Sequence, residues 1–151
     1  MAWMTAAGAT FALASTSAAP ATYDEAGYDA LAFTNVGEIT NIGEFGGEYA
    51  LVTHQPLATR GVGKRKGSFN NGTLNPNLAW DPGDPGQELL DTAYQSDDPW
   101  PMRVTLQDGS VFYMMGLVMS YRPIVNGVDE VVGGTPTIEV DSTPMVRVAA
   151  P

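Results

Sequence analysis

The sequence predicts a mainly β domain, a β-sandwich or barrel with one α-helix on its flank. Three observations carry that expectation. Seventeen glycines and eleven prolines punctuate runs of strand-forming residues, the composition of many short strands joined by turns. Residues 73–80 and 102–107 alternate apolar and polar side chains, as a strand does when one face is buried. One stretch, about residues 84–96, carries a helix cap followed by an apolar stripe at helical spacing. A chain of 151 residues suits one domain, 1–151. Such a chain hides roughly 70% of the surface its unfolded form exposes. With 44% hydrophobic and only 16% charged residues, wholesale disorder is excluded.

Taken in order, residues 1–20 read as an extended N-terminal arm around one short strand, Thr10–Ala14. The segment YDEAGYDAL (23–31) suits one helical turn, with Gly27 expected to break it. Residues 32–42 read as a strand, with Val36, Glu38 and Thr40 on one face and Gly37, Ile39 and Asn41 on the other. Residues 49–53 read as the next strand, and 54–71 as a long basic loop. Leu74, Pro76, Leu78 and Trp80 then share one side of a half-buried strand, where Pro76 marks an edge or a bulge.

Asp84 is a good N-cap, Pro85 suits the first helical position, and Gln87 stands at capping-box spacing. Leu89, Leu90, Ala93 and Tyr94 make the stripe that would pack on a sheet, and Ser96-Asp97-Asp98-Pro99 ends the helix. Met102, Val104 and Leu106 alternate with Arg103, Thr105 and Gln107 up to Asp108-Gly109, the pair a type I′ turn requires. The return strand, 111–121, is apolar on both faces and so needs cover from two sides. Phe112, Met114, Leu117 and Met119 mark it as a core or inter-subunit strand. Residues 135–140 and 145–148 read as closing strands interrupted by Pro144, and 141–151 as a C-terminal arm.

The chain has no cysteine, which excludes disulfides, thiolate metal sites and cysteine nucleophiles. Its single histidine, His54, excludes a His-rich zinc site within one chain. A net charge of -10 argues against gripping DNA through its phosphates. The N-terminal twenty residues have an apolar run but no Lys or Arg, so a secretory signal lacks its basic region. The run also falls short of the ~20 apolar residues of a membrane span. Asp24/Glu25, Asp97/Asp98 and Asp129/Glu130 read as solvated loop charge. Gly61-Val-Gly-Lys-Arg-Lys-Gly67 lacks the spacer and the ending of a phosphate-binding loop. No enzyme and no cofactor is expected.

Arg60, Lys64, Arg65 and Lys66 are four of only seven basic residues, all within the 54–71 segment. Without interleaved aromatics they do not suit nucleic acid, and a contact onto the acidic surface of another copy uses the whole charge pattern.

Five pieces in order between residues 36 and 111 carry a resemblance: VGEIT, VTHQPL, KRKGSFNNGTL, DPGQELL and VTLQDGSV. Together the stretch resembles the tail tube proteins of long-tailed, siphophage-type bacteriophages and related gene-transfer particles. That resemblance implies a tail-tube-type β-sandwich or barrel whose copies form hexameric rings. The rings would stack around a tape measure protein into a hollow tube that delivers the genome, with tail terminator and distal tail or baseplate proteins as partners. DNA would pass through the lumen without specific binding, and the protein would reside in the virion tail after assembly in the host cytoplasm, with no membrane involved. It also implies that the long loop reaches the adjacent ring, with His54, Arg60, Lys64, Arg65 and Lys66 as contact residues. Glu38, Glu139 and Asp141 are the candidate carboxylates of the lumen. The competing readings are a secreted, non-catalytic β-sandwich with an aromatic platform from Trp80, Trp100 or Tyr121, and another tail component such as a terminator.

Overall fold

The computed structural model describes residues 3–151. Its main sheet is antiparallel and holds β1 (Thr10–Ala14), β2 (Phe33–Asn35), β3 (Ile39–Asn41), β6 (Thr73–Leu74), β7 (Asn77–Ala79), β8 (Trp100–Thr105), β9 (Val111–Ile124), β10 (Gly133–Val140) and β11 (Val146–Val148). A separate two-stranded sheet pairs β4 (Glu48–His54) with β5 (Gly63–Asn70). The helices are α1 (Glu25–Asp29) and α2 (Pro85–Gln95).

The strand order is β2-β1-β8-β9-β10-β7-β3, so the two edge strands are consecutive in sequence. Only residues 36–38 join them, and so short a link spans at most about 14 Å. The sheet therefore curls into a partly open barrel whose seam is that link. Val36 donates its N–H to the Phe11 carbonyl at 2.8 Å on one side, and Ala79 donates to the Glu38 carbonyl at 2.9 Å on the other. The expected single strand over 32–42 is thus two strands and a bend. At the bend Glu38 takes φ 62°, the only positive φ of a non-glycine residue among those described.

Alternation places Phe11, Leu13, Leu74, Leu78, Met102, Val104, Met114, Val118, Ile138 and Val140 on the concave face, in one cluster with Leu90 and Ala93 of α2. Each such side chain contributes about 1.5–3 kcal/mol by leaving water. The helix begins where expected, with the Asp84 side chain accepting from Gln87 N–H at 3.0 Å. Its buried stripe differs from the expected one: Gly86, Gln87, Leu90 and Ala93 face inward and Tyr94 is exposed. Gln87 is accepted inside because its amide is saturated. Its Nε2 donates to the carbonyls of Gly37 (3.1 Å) and Ala79 (2.8 Å), and its Oε1 accepts from Asp81 N–H (2.9 Å). It is therefore no capping-box partner.

Gly27 does not break α1; a side chain there would strike the Thr22 carbonyl, so only glycine fits. This second helix packs on the convex face, where Tyr28 stacks on Tyr113 at 5.1 Å. The buried Tyr28 hydroxyl has no partner among the described residues, and burial, aided by Tyr23, pushes its pKa to about 12.

Residues 10–14, expected within an arm, are an inner strand between β2 and β8. Residues 146–148 of the expected C-terminal arm likewise pair with β9. Pro76 splits the expected strand over 73–80 into β6 and β7. The β8–β9 connection is a type I turn closed by a G1 bulge, not type I′. Only Gly109 has positive φ (95°), and Leu106 and Ser110 remain bonded at 2.8 Å.

Candidate assembly surfaces

Among the described strands, the two of the β4–β5 hairpin are the least covered. The expected loop over 54–71 is in fact the far half of this hairpin, with a turn at residues 55–62. Every residue of β4 is exposed, as is every residue of β5 except half-buried Gly67. Register pairs Tyr49 with Phe69, Leu51 with Lys66, Val52 with Arg65, Thr53 with Lys64 and His54 with Gly63. One face therefore carries Tyr49, Leu51, Lys64, Lys66 and Phe69, and the other carries Val52 and Arg65. The Lys66 ammonium lies 4.6 Å from the centre of the Tyr49 ring, a cation–π contact. Arg60 and Leu57 stand at the exposed tip. A lone hairpin is marginal in water, and this one exposes apolar side chains on both faces.

The hairpin is fixed at its root. Asn71 Nδ2 donates to the carbonyls of Asp141 (2.7 Å) and Thr143 (3.0 Å), and Gly72 takes φ 87° where a side chain would strike Gly46.

The expected strand residues part company. Met114 is fully buried in the core, and Phe112 and Leu117 are half-buried. Met119 is 58% exposed because it is the extra residue of a bulge: Thr137 pairs with Ser120 and Ile138 with Val118. The bulge shifts the pleat, so Tyr121 turns inward against Trp80 and α2. From Val111 to Val118 both faces of β9 are already covered within one copy. The concave side packs in the main core, and Tyr113 and Met115 pack beside Tyr28 on the convex side.

The three candidate carboxylates do not converge. Glu139 lies on the convex face of β10 and accepts from the Thr73 hydroxyl at 3.0 Å. It shares that face with Thr135, Thr137, Ser120 and Arg122. Asp141 is half-buried just beyond β10, its N–H donating to the Met115 carbonyl at 2.8 Å. Glu38 sits in the seam beside Ala79. Ala79 pairs with Gly133, six residues of strand or about 20 Å from Glu139.

Two features escaped the sequence. The β9–β10 connection exposes Val125, Val128, Val131 and Val132. A groove of about 360 Å³ also opens between α2 and Trp80, lined by Asp81, Gln87, Glu88, Asp91 and Tyr121. Trp100 offers no exposed aromatic platform, being buried with its Nε1 donating to the Ala14 carbonyl at 2.6 Å. Among the described residues no cluster of three or more His, Asp or Glu side chains is placed to hold a metal ion. No helix there is long and apolar enough to cross a membrane.

No protein-family model and no curated protein matches the chain. Solved structures do. A chain of the PVC sheath/tube terminator of an extracellular contractile injection system, in its extended state, superposes with TM-score 0.72 at 7% identity. That match covers 99% of this chain and 99% of the other. A chain of the anti-feeding prophage baseplate, 6-fold symmetrised, gives TM-score 0.65 at 9% identity over 94% of this chain and 91% of its own. The SPP1 tail tube protein gives 0.58 at 14% identity, over 92% of this chain and 75% of its own. At these identities the likeness is one of fold.

Proposed function

We propose that this chain, which has the tail-tube fold, is a structural subunit of a tail tube in a long-tailed phage or related particle. Copies form six-membered rings, the rings stack into a hollow tube, and the genome is delivered through it. The observation that carries this reading is the β4–β5 hairpin, exposed along both strands beside the partly open barrel. An uncovered element with apolar and cationic side chains is what a subunit completed by its neighbours presents. His54, Arg60, Lys64, Arg65 and Lys66 are the contact residues toward the adjacent ring. Sixfold closure is supported by the symmetry of the prophage baseplate whose chain shares the fold.

The convex polar face around Glu139 is the surface for the channel wall, because it offers hydroxyls and a carboxylate and, apart from the single Arg122, nothing cationic to hold DNA. Its repulsion reaches only about 8 Å at physiological salt, enough at the wall of a narrow channel. The partners are further copies of the chain, a tape measure protein within the lumen, and terminator and distal tail proteins at the ends. The role is non-catalytic, the site of action is the virion tail, and assembly takes place in the host cytoplasm.

A second reading, a tube terminator, is favoured by the end-to-end match with the terminator assembly at TM-score 0.72. Negative-stain microscopy and sedimentation at rising concentration, with and without the tape measure protein, separate the readings. Tubes are the expected result. Single rings at every concentration would establish the terminator instead, and monomers throughout would reject both.

A further inference from the structure

The hairpin and the groove beside α2 lie at opposite ends of one strand. β10 pairs Glu139 with Thr73, which follows the hairpin root at residues 70–72, and pairs Gly133 with Ala79, which precedes Trp80 of the groove. About 20 Å of strand separates the two sites.

Their chemistry is complementary. The groove presents the Trp80–Tyr121 pair, ring centres 5.0 Å apart, beneath exposed Asp81, Glu88 and Asp91. Residues 81–98 hold six carboxylates and no Lys or Arg. The negative field is felt locally: burial first, then Asp91 and Asp84, pushes the Tyr121 hydroxyl to about 12. Aromatic faces ringed by carboxylates attract ammonium and guanidinium groups. The hairpin supplies them, with Lys64 and Lys66 on one face, Arg65 on the other and Arg60 at the tip.

We infer that the groove between α2 and the Trp80–Tyr121 pair is the acceptor for the basic β4–β5 hairpin of a second copy. The inference rests on the self-assembling role proposed above and names the surface that role requires. A donor and an acceptor at opposite ends make a head-to-tail contact, which continues from copy to copy instead of closing on a pair.

Charge reversal tests it. Lys64→Glu, Arg65→Glu and Lys66→Glu together, or Glu88→Lys with Asp91→Lys, each raise the concentration needed for stacking by about tenfold or more. All five reversals in one chain recover assembly toward the wild-type level. The positions are exposed, and an unchanged thermal melt verifies folding. A groove reversal that stacks like wild type, or a combined variant that recovers nothing, overturns the acceptor while leaving the tube-subunit reading intact. If the wild-type chain itself never stacks, the earlier reading fails and this one with it.

A second arm does not depend on charge, because the chain has no cysteine of its own. Lys66→Cys in one copy and Asp91→Cys in another, mixed and oxidised, form a cross-linked pair of the two variants. Absence of that pair under conditions where wild type stacks overturns the contact.

Discussion

Asp84 and Gly37 are joined across the barrel seam: the Asp84 Oδ2 that accepts from Gln87 N–H at 3.0 Å also accepts from Gly37 N–H at 2.9 Å. One carboxylate therefore caps α2 and pins the link between β2 and β3. Replacing a simple cap by alanine costs about 1 kcal/mol. Asp84→Ala also orphans a part-buried N–H and is expected to cost about 2–3 kcal/mol by urea unfolding. Asp84→Asn keeps one acceptor and should recover roughly half of that loss.

Gly116 lies where β8, β9 and β10 meet, and a side chain there would stand 2.7 Å from Ile138 Cγ2 and 3.0 Å from Met102 Sδ. Overpacking of this kind costs about 1–3 kcal/mol. Gly116→Ala is expected to lower the melting temperature. Gly127→Ala, with nothing within 4 Å, should leave it unchanged within error.

The hairpin amides of the free subunit are expected to exchange with solvent far faster than those of β8 and β9, and to become protected on assembly. Hydrogen-exchange mass spectrometry of both states reads this directly. Leu57→Asp, at a fully exposed tip, leaves the melt of the free subunit unchanged and weakens stacking.

At high pH buried Tyr28 and half-buried Tyr121 set the limit. Tyr28 and Tyr121 have folded pKa values raised to about 12. Their contribution to stability is complete below the unfolded value of about 10 and is lost as pH climbs toward 12. Ultraviolet titration should show these phenols ionising last and together with unfolding.

At low pH the signs reverse. Asp24 is held below the usual carboxylate range by hydrogen bonds from the Thr22 hydroxyl and Gly27 N–H, and Asp108 by bonds from Ser110. Their contribution is present above that range and is lost as pH falls through the lowered values. Asp24→Asn with Asp108→Asn should flatten the acid limb of a stability–pH curve.

What could be read from residues alone was whatever is written locally. The start of α2 was legible because Asp84 and Pro85 act within one turn. Thr10–Ala14 was legible as a strand from its run of apolar residues, though not its place inside the sheet. The first strand of the hairpin was legible over residues 49–53, but its second strand was mistaken for a loop because alternation is imprinted by a core, and β5 faces none. Gln87 read as a capping-box partner, since its actual bonds depend on Gly37, Ala79 and Asp81 coming together. Asp108-Gly109 serves more than one turn type, and the seam bend falls on Glu38, a residue carrying no turn signal. The acidic groove was invisible because Trp80 and Tyr121 meet only through the pairing of β7 and β9 with β10.

The placement of the basic finger and the carboxylate-rimmed groove at opposite extremities of β10 gives the subunit a head and a tail. Any filament joined through them has a polarity, and its two tips differ chemically. A capping protein that halts growth at one tip needs to imitate only the groove, and one that starts growth at the other needs only the finger.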